Sequence, residues 1–277
     1  MPFDDYVRRK EASASSAHLS PYITTLDHSS SIPRLAALGN DWSQRLFGGP
    51  FFRSARPRRD DVPIVNLVFV QSRDGNTGAA DPSALGGGDT DKHLIYEGLS
   101  RVDADAVLSG ATTARESELV FSVWHPAMVA LRRDLGLPRH PAQVVVTSGG
   151  VLPWDHSLML QTPELRVFLI VPTRAVNQVA RRACDRSWIT IIDGGEPLSM
   201  TGALCALAAH GVRTISAIGG RRTATSLLRE GLVSDLYLTT AAIDGGEPHT
   251  PFHEGPPAAA DAGTGQSGHG AGSRRPL

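Results

Sequence analysis

Ile215-Ser216-Ala217-Ile218-Gly219-Gly220-Arg221-Arg222, followed by Thr223-Ala224-Thr225-Ser226-Leu227-Leu228-Arg229-Glu230-Gly231, reads as a strand, a Gly-Gly turn and a helix that stops at a glycine. A turn without Cβ atoms lets backbone N–H groups approach a phosphate closely. The helix start adds unpaired N–H donors and the positive end of the helix dipole. Two arginines follow at the place an anion would occupy. The unit predicts a bound phosphorylated ligand, a nucleotide above all, with a plain strand-to-helix connection as the alternative.

The same alternation extends outward from this unit. Short β-branched runs recur at 62–70, 104–108, 143–147, 166–171, 188–192, 214–218 and 235–240. The first is almost continuously apolar, as in a strand buried on both faces. Helical patterns lie between most of them, at 89–102, 126–135, 174–184, 199–210 and 221–230. Strands alternating with helices predict βαβ units and a mainly parallel sheet covered by helices on both faces. Such a sheet binds ligands beyond the carboxyl ends of its strands.

Three regions follow from this pattern. Residues 1–61 read as a weakly patterned, partly ordered extension, whose Trp42, Leu46, Phe47, Phe51 and Phe52 are apolar enough to pack on the main domain or on a second subunit. Its basic stretch 53–61 reads as a solvated linker. Residues 62–252 form the core domain. Residues 253–277 are rich in Gly, Ala, Pro and Ser, almost without large apolar side chains, and read as a disordered tail.

The 277-residue chain is 41% hydrophobic with a formal net charge of −1, so no global field draws it to nucleic acid or an anionic membrane. No run of ~18 apolar residues is present, so no membrane helix is expected. The acidic start Met1-Pro2-Phe3-Asp4-Asp5 lacks an apolar core and is not read as a secretory signal, which predicts a cytoplasmic protein. Cys184 and Cys205 match no zinc spacing and read as two free, buried thiols. The histidines form no His-Glu-x-x-His motif, and no metal centre is expected; His93 reads as a surface residue.

Four segments fall at predicted strand ends. Gln71-Ser72-Arg73-Asp74-Gly75-Asn76 is either a tight turn or a loop turning Ser72 and Asp74 to a substrate. Ser109-Gly110-Ala111-Thr112-Thr113 is small enough to admit a ligand against the backbone, and its hydroxyls could bond phosphate or ribose or cap the next helix. Arg101, just before it, could serve a ligand or simply a helix end. Thr147-Ser148-Gly149-Gly150 could contact a nucleotide through Ser148 and backbone amides, although no Walker lysine or Gly-x-Gly-x-x-Gly follows. The Gly219-Gly220 turn is the fourth.

Taken in order, these segments resemble the reductase domain of bacterial riboflavin-biosynthesis deaminase-reductases. The family pattern Ser-Leu-Asp-Gly-Lys stands here as Ser72-Arg73-Asp74-Gly75-Asn76. Arg-Ala-x-x-Asp-Ala-Val-Leu-Val-Gly-Ala-Gly-Thr stands as the run from Arg101 to Thr113. Val-Glu-Gly-Gly, a helix and Gly-Leu-Val-Asp-Glu-Leu stand as Ala217 to Gly220 and Gly231 to Leu236. The resemblance implies a dihydrofolate-reductase-like three-layer α/β/α fold with a mainly parallel central sheet, and a homodimer. It also implies NADPH-dependent reduction of the ribose of 5-amino-6-(5-phosphoribosylamino)uracil to ribitylamino. By position, Asp74 would face the reacting end, and Ser72 and Arg101 would contact the substrate, Arg101 through its phosphate. Gly110, Ala111, Thr113, Ser148, Gly219, Gly220, Arg221, Arg222 and Thr223 would hold the cofactor.

The chain departs from that pattern at three positions. The family Lys after Asp-Gly is Asn76, the Glu before Gly-Gly is Ile218, and the Asp four residues after the Thr is Ser117. An isoleucine cannot replace the hydrogen bonds of a carboxylate. Two alternatives therefore stay open: a related reductase of another small heterocycle, and an NADPH-binding module without turnover. Residues 1–61 hold no His-x-Glu or Pro-Cys-x-x-Cys zinc signature, so no deaminase half is read there.

Overall fold

The computed structural model describes residues 3–21, 23–27, 35–55, 57–79, 85, 87–115, 119–218, 220–252 and 263–268. Gly219 and Ser117 lie outside the described residues. In chain order the elements begin with α1 (Phe3–Ser15), β1 (Ile23–Asp27), β2 (Leu35–Leu38), α2 (Asp41–Phe47) and β3 (Phe51–Ser54). Then come β4 (Ile64–Gln71) and α3 (Gly88–Thr90), which runs on as a π-helical stretch (Asp91–Leu99). β5 (Ala106–Gly110), α4 (Pro126–Asp134), β6 (Ala142–Val146), α5 (Leu158–Gln161), β7 (Val167–Val171), α6 (Thr173–Ala183) and β8 (Ile189–Asp193) follow. The remainder is α7 (Met200–Ala209), β9 (Thr214–Ala217), α8 (Arg221–Arg229), β10 (Asp235–Thr240) and β11 (Gly263–Gly268).

The sheet order is β1-β11-β10-β4-β9-β5-β6-β7-β8. From β10 to β8 every neighbouring pair is parallel. β11 continues in parallel beside β10, and β1 closes that edge antiparallel to β11. The chain moves from β4 through β5, β6 and β7 to β8, then returns to insert β9 between β4 and β5 and to add β10 outside β4. The direction of winding thus reverses around β4, β9 and β5, which is where an α/β sheet opens a crevice.

Each strand alternates its apolar side chains between two layers. Val65, Leu67, Phe69, Leu108 and Ile215 pack against Leu204 and Leu207 of α7 and Leu227 of α8. On the opposite face, Val107, Val145 and Leu169 pack with Val179 of α6 and Tyr6 of α1. Val68 and Tyr237 meet Leu94 and Ile95 of the π-helical stretch and Met128 of α4. This is the three-layer α/β/α arrangement, with a mainly parallel sheet, of the dihydrofolate-reductase-like fold.

α8 shows why its sequence folds as it does. Ala224, Leu227 and Leu228 are buried at i, i+3 and i+4, one stripe of a helix. Each buried leucine contributes about 1.5–3 kcal/mol. The helix ends where Gly231 takes a left-handed φ of 66°. There the Leu232 N–H donates to the Leu227 carbonyl and the Gly231 N–H to that of Leu228, which satisfies two otherwise orphaned carbonyls.

The extension before residue 62 is built onto the core. Phe51 is buried beside partly buried Trp42, Leu46 and Phe47, within the layer formed by the π-helical stretch. Ser54 donates from its backbone N–H and its hydroxyl to the two oxygens of Asp235, at 2.8 and 2.7 Å. The basic stretch 53–61, read as solvated, is so only in part: Arg53 pairs with buried Asp103 and Arg58 donates to the Val233 carbonyl. In the tail, β11 is a strand, while 253–262 and 269–277 lie outside the described residues. Both cysteines are free, as read, but neither is buried: Cys184 is exposed at the end of α6, where the helix leaves the sheet, and Cys205 is half-buried.

Candidate functional site

The strand ends at the reversal carry the expected segments side by side. Leu108 of β5 is paired with Ala217 of β9, and Gly110 with Val146 of β6. Ile218 then donates its N–H to the Leu108 carbonyl, and Ala111 donates to that of Val146. The Gly110–Thr113 segment therefore lies between the β9 turn and the β6 turn that carries Ser148.

Gly110 also meets the start of α8: a Cβ on it would sit 3.4 Å from the Thr223 hydroxyl. At the other side of that turn, Gly220 is the N-cap residue of α8 with no side-chain hydrogen bond to the helix, and a Cβ there would meet nothing within 4 Å. Gly220 thus offers the start of α8 no capping side chain, and among the described residues the space where its Cβ would stand is open, which suits an anion at the helix start. Arg221 and Thr223 are half-buried and Arg222 is exposed. Ser148 is exposed, and its carbonyl accepts from Arg174.

The loop after β4 is held as a tight turn. Gly75 adopts a left-handed φ of 82°, which a side chain would strain. The Ser72 backbone N–H donates to the Asn76 carbonyl at 2.9 Å, and the Ser72 hydroxyl, fully buried, accepts from the Asn76 N–H. Arg73 pairs with Asp244. Asp74 is exposed on the outside of this turn. Neither Ser72 nor Asp74 lines the cavity described next.

A cavity of about 530 Å³ opens beside these strand ends. Ile218 and Thr113 form part of its wall, so it adjoins the segments expected to hold the nucleotide. Arg101 lines it as well, together with Asp91, Tyr96 and Glu97 of the π-helical stretch and the 119–121 segment. Asp89 and Lys92, and Tyr6 and Lys10 of α1, line it too.

Arg101 is buried, donates from one terminal nitrogen to the Ser122 carbonyl at 2.8 Å, and lies over the Phe121 ring. Its Nε has no hydrogen-bond partner among the described residues. Burial pushes its pKa down to about 10, against the pull of Glu97, so it is still charged at neutral pH. A buried guanidinium with an unused donor, facing a cavity, is suited to an anionic or carbonyl oxygen of a ligand.

Glu97 is held firmly. One carboxylate oxygen accepts from the Trp124 and His125 backbone N–H groups at 2.8 and 3.0 Å, and the other stands 3.0 Å from Nδ1 of His93. His93, read from the sequence as a surface residue, is in fact buried at 1% exposure. The physical reason is that the stretch is enclosed nearly all round: seven of its nine residues are buried, which leaves His93 no solvated face to occupy.

Asp91 is the most perturbed acid of the cavity. It is 3% exposed, accepts a hydrogen bond from the Thr239 hydroxyl, and forms no ion pair with any described residue. Burial raises its pKa to about 7. Near neutral pH it holds its proton about half the time, a poise suited to proton transfer. The sequence carried no motif for Asp91 or Glu97, and neither was singled out; the only signal was two acids on a helix leading to Arg101. Among the described residues no cluster of His, Cys, Asp and Glu could hold a metal ion, and no helix is long and apolar enough to cross a membrane.

A crevice at the winding reversal of a parallel sheet, lined by a buried arginine and two buried acids, defines an α/β protein with a polar small-molecule site. The chain belongs to the family described as the RibD C-terminal domain, which matches residues 63–264, and is accordingly a reductase-type oxidoreductase. No curated protein matches it. Among solved structures it is similar to a pyrimidine reductase-like protein of Corynebacterium diphtheriae, with 22% identity, a TM-score of 0.57, and coverage of 69% of this chain and 79% of that one. It is similar to RibD of Acinetobacter baumannii at 19% identity and TM-score 0.52, covering 71% of this chain but only 51% of that one. The riboflavin biosynthesis reductase Rib7 of Saccharomyces cerevisiae matches at 15% identity and TM-score 0.51, covering 70% and 81%. At these identities the neighbours speak for the fold.

Proposed function

We propose that the chain is an NADPH-dependent reductase that converts the ribose of a phosphoribosylamino-pyrimidine, 5-amino-6-(5-phosphoribosylamino)uracil or a close relative, to ribitylamino. The observation that carries the proposal is the adjacency of two features: the cap-less α8 start beside Gly110, and the cavity whose wall holds Thr113, Ile218 and Arg101. The residues present fit a dinucleotide. Backbone N–H groups at the start of α8, with the glycine pair before it, would take the phosphates. Thr113, Thr223 and Ser148 would supply hydroxyls, and Gly110 and Ala111 would leave room for the chain of the ligand. Arg221 and Arg222 would pair with a 2′-phosphate, the ground for NADPH over NADH.

When bound, the nicotinamide would supply the hydride for C1 of the opened ribose. The protein's part is to hold, orient and protonate. Arg101 anchors an oxygen of the substrate from inside the cavity. Ile218 presents an apolar surface where relatives of the resembled family carry a carboxylate, while Asp91 and Glu97 bring acids to the cavity from the π-helical stretch. Reduction takes one proton besides the hydride, and two carboxyls are offered for it: Asp91 within the cavity and Asp74 at the β4 turn. The reading includes a cytoplasmic homodimer, which sedimentation would test.

The departures at Ile218 and Ser117 favour a substrate other than the resembled one as the second reading. Following NADPH oxidation with 5-amino-6-(5-phosphoribosylamino)uracil separates the two. Turnover supports the proposal. Saturable NADPH binding without turnover removes this substrate and leaves a reductase of another heterocycle or an NADPH-binding module without turnover.

A further inference from the structure

Arg101 takes its orientation from residues 119–124, which belong to no helix or strand. We propose that Gln143 of β6 and Tyr6 of α1 are positioning residues for Arg101: they hold this segment so that the guanidinium meets the ligand in one orientation.

A buried segment outside any ladder must find its backbone partners elsewhere. Here side chains supply them. The fully buried Gln143 accepts from the Phe121 N–H at 3.0 Å and donates to the Phe121 carbonyl at 2.8 Å, much as a neighbouring strand would. The same amide nitrogen donates to the Pro141 carbonyl at 2.8 Å. The Tyr6 hydroxyl accepts from the Val120 N–H at 3.2 Å and stands 3.5 Å from the Val120 carbonyl. The Tyr6 ring is itself fully buried, edge-on to Trp124 at 5.6 Å. Two consecutive residues are thus each gripped by their backbone groups.

The held segment in turn holds Arg101. One terminal nitrogen donates to the Ser122 carbonyl at 2.8 Å, and the guanidinium carbon lies 5.9 Å from the centre of the Phe121 ring. These two contacts set the plane of the guanidinium, and with it the direction of Nε, the donor left for a ligand.

Gln143 stands in a strand whose other residues, Ala142, Val144, Val145 and Val146, are apolar. A polar side chain buried there costs free energy unless its hydrogen bonds are made, and two of those it makes go to Phe121. Gln143 is not part of the cavity wall among the described residues, so it acts on a ligand only through the segment. Tyr6 adds a hold from outside the residues that the family match covers. α1 contributes a second one: Glu11 pairs with Arg139 at 2.6 Å, and Arg139 donates to the Val123 carbonyl at 2.8 Å. The inference rests on the reading of Arg101 as the anchor of the ligand; it adds what aims that anchor.

The test uses Tyr6→Phe and Gln143→Met in the full chain, each alone and combined with Arg101→Met. The first readout is NMR relaxation of the Arg101 Nε–H, a signal assigned by its loss in Arg101→Met, which needs no ligand. The second is steady-state kinetics with NADPH and 5-amino-6-(5-phosphoribosylamino)uracil. Melting temperatures check folding, and Tyr6→Phe, which keeps the ring and its packing, carries the test if Gln143→Met does not fold. The expected result is an ordered Nε–H in the wild type and a mobile one in each variant. KM for the pyrimidine should rise about fivefold, the effect of one neutral hydrogen bond, with kcat and NADPH affinity within about twofold. Combined with Arg101→Met, the same substitutions should lower the melting temperature as before and add nothing to KM. An Nε–H as rigid in the variants as in the wild type, an unchanged KM, or a KM effect that persists at full size without Arg101 overturns the inference. A loosened Nε–H in a protein whose wild type turns over no pyrimidine upholds it and removes the proposed substrate instead.

Discussion

The Thr239 hydroxyl of β10 donates to Asp91 across the floor between the sheet and the π-helical stretch, and among the described residues it is the only hydrogen bond of this side chain. Burial keeps the acid protonated up to about pH 7, against 3.8 for an exposed aspartate. Its stabilising, protonated form is fully present in the native state below pH ~4, where the unfolded chain is protonated too. Between pH ~4 and ~7 the unfolded chain releases the proton and the native state keeps it, so stability falls by up to ~1.4 kcal/mol per pH unit. Asp91→Asn cannot ionise and should lose this slope. Melting temperatures from pH 4 to 8 should show the wild type declining relative to the variant; a constant difference would contradict the account of Asp91.

The two proposed proton donors predict different profiles. If Asp91 supplies the proton, Asp91→Asn lowers kcat by 10²-fold or more, the usual contribution of a positioned acid, and removes a fall in kcat above pH ~7. Asp74→Asn then changes kcat little. The reverse outcome assigns the step to the β4 turn.

Arg101 contributes both a ligand anchor and a structural bond to the Ser122 carbonyl. Arg101→Met leaves that carbonyl unpaired at a cost of about 1–3 kcal/mol, seen in the denaturant midpoint. Substrate affinity should fall more than tenfold while NADPH affinity stays within about twofold. Equal losses for both ligands would mean that Arg101 acts only through folding.

Ile218 tests the substrate. It lines the cavity and packs against the apolar layers of α6 and of the π-helical stretch. Ile218→Glu should cost about 1–3 kcal/mol of stability. If the cavity is shaped for the phosphoribosylamino-pyrimidine, the variant should raise kcat/KM for that compound. A loss of activity for it, with NADPH binding intact, would point to a different heterocycle.

The sheet was legible because its strands are buried on both faces and so spell themselves as unbroken β-branched runs. The seven runs from 62 to 240 correspond to β4 through β10, and α4, α6, α7 and α8 each start within a residue of the expected position. The extension was not legible. α1 is largely polar, and its Tyr6 is buried only because a loop more than a hundred residues away receives it. The same holds for the π-helical stretch. Asp91, His93 and Glu97 look like ordinary solvated helix positions, and only the tertiary fold, which encloses the stretch on nearly all sides, buries them. Arg101, Thr113 and Ile218 could be pointed to in the sequence because they sit where a strand begins or ends, which is local information; their sharing one cavity with Asp91 is not.

The account stands on nucleotide phosphates held by the backbone where β9 passes into α8. A crystal structure of the chain with NADPH tests this directly. The account predicts the pyrophosphate within hydrogen-bond distance of the N–H groups opening α8, with the nicotinamide ring at the Ile218 and Thr113 wall of the cavity. A dinucleotide bound elsewhere, or side chains closing over Gly220, would contradict it.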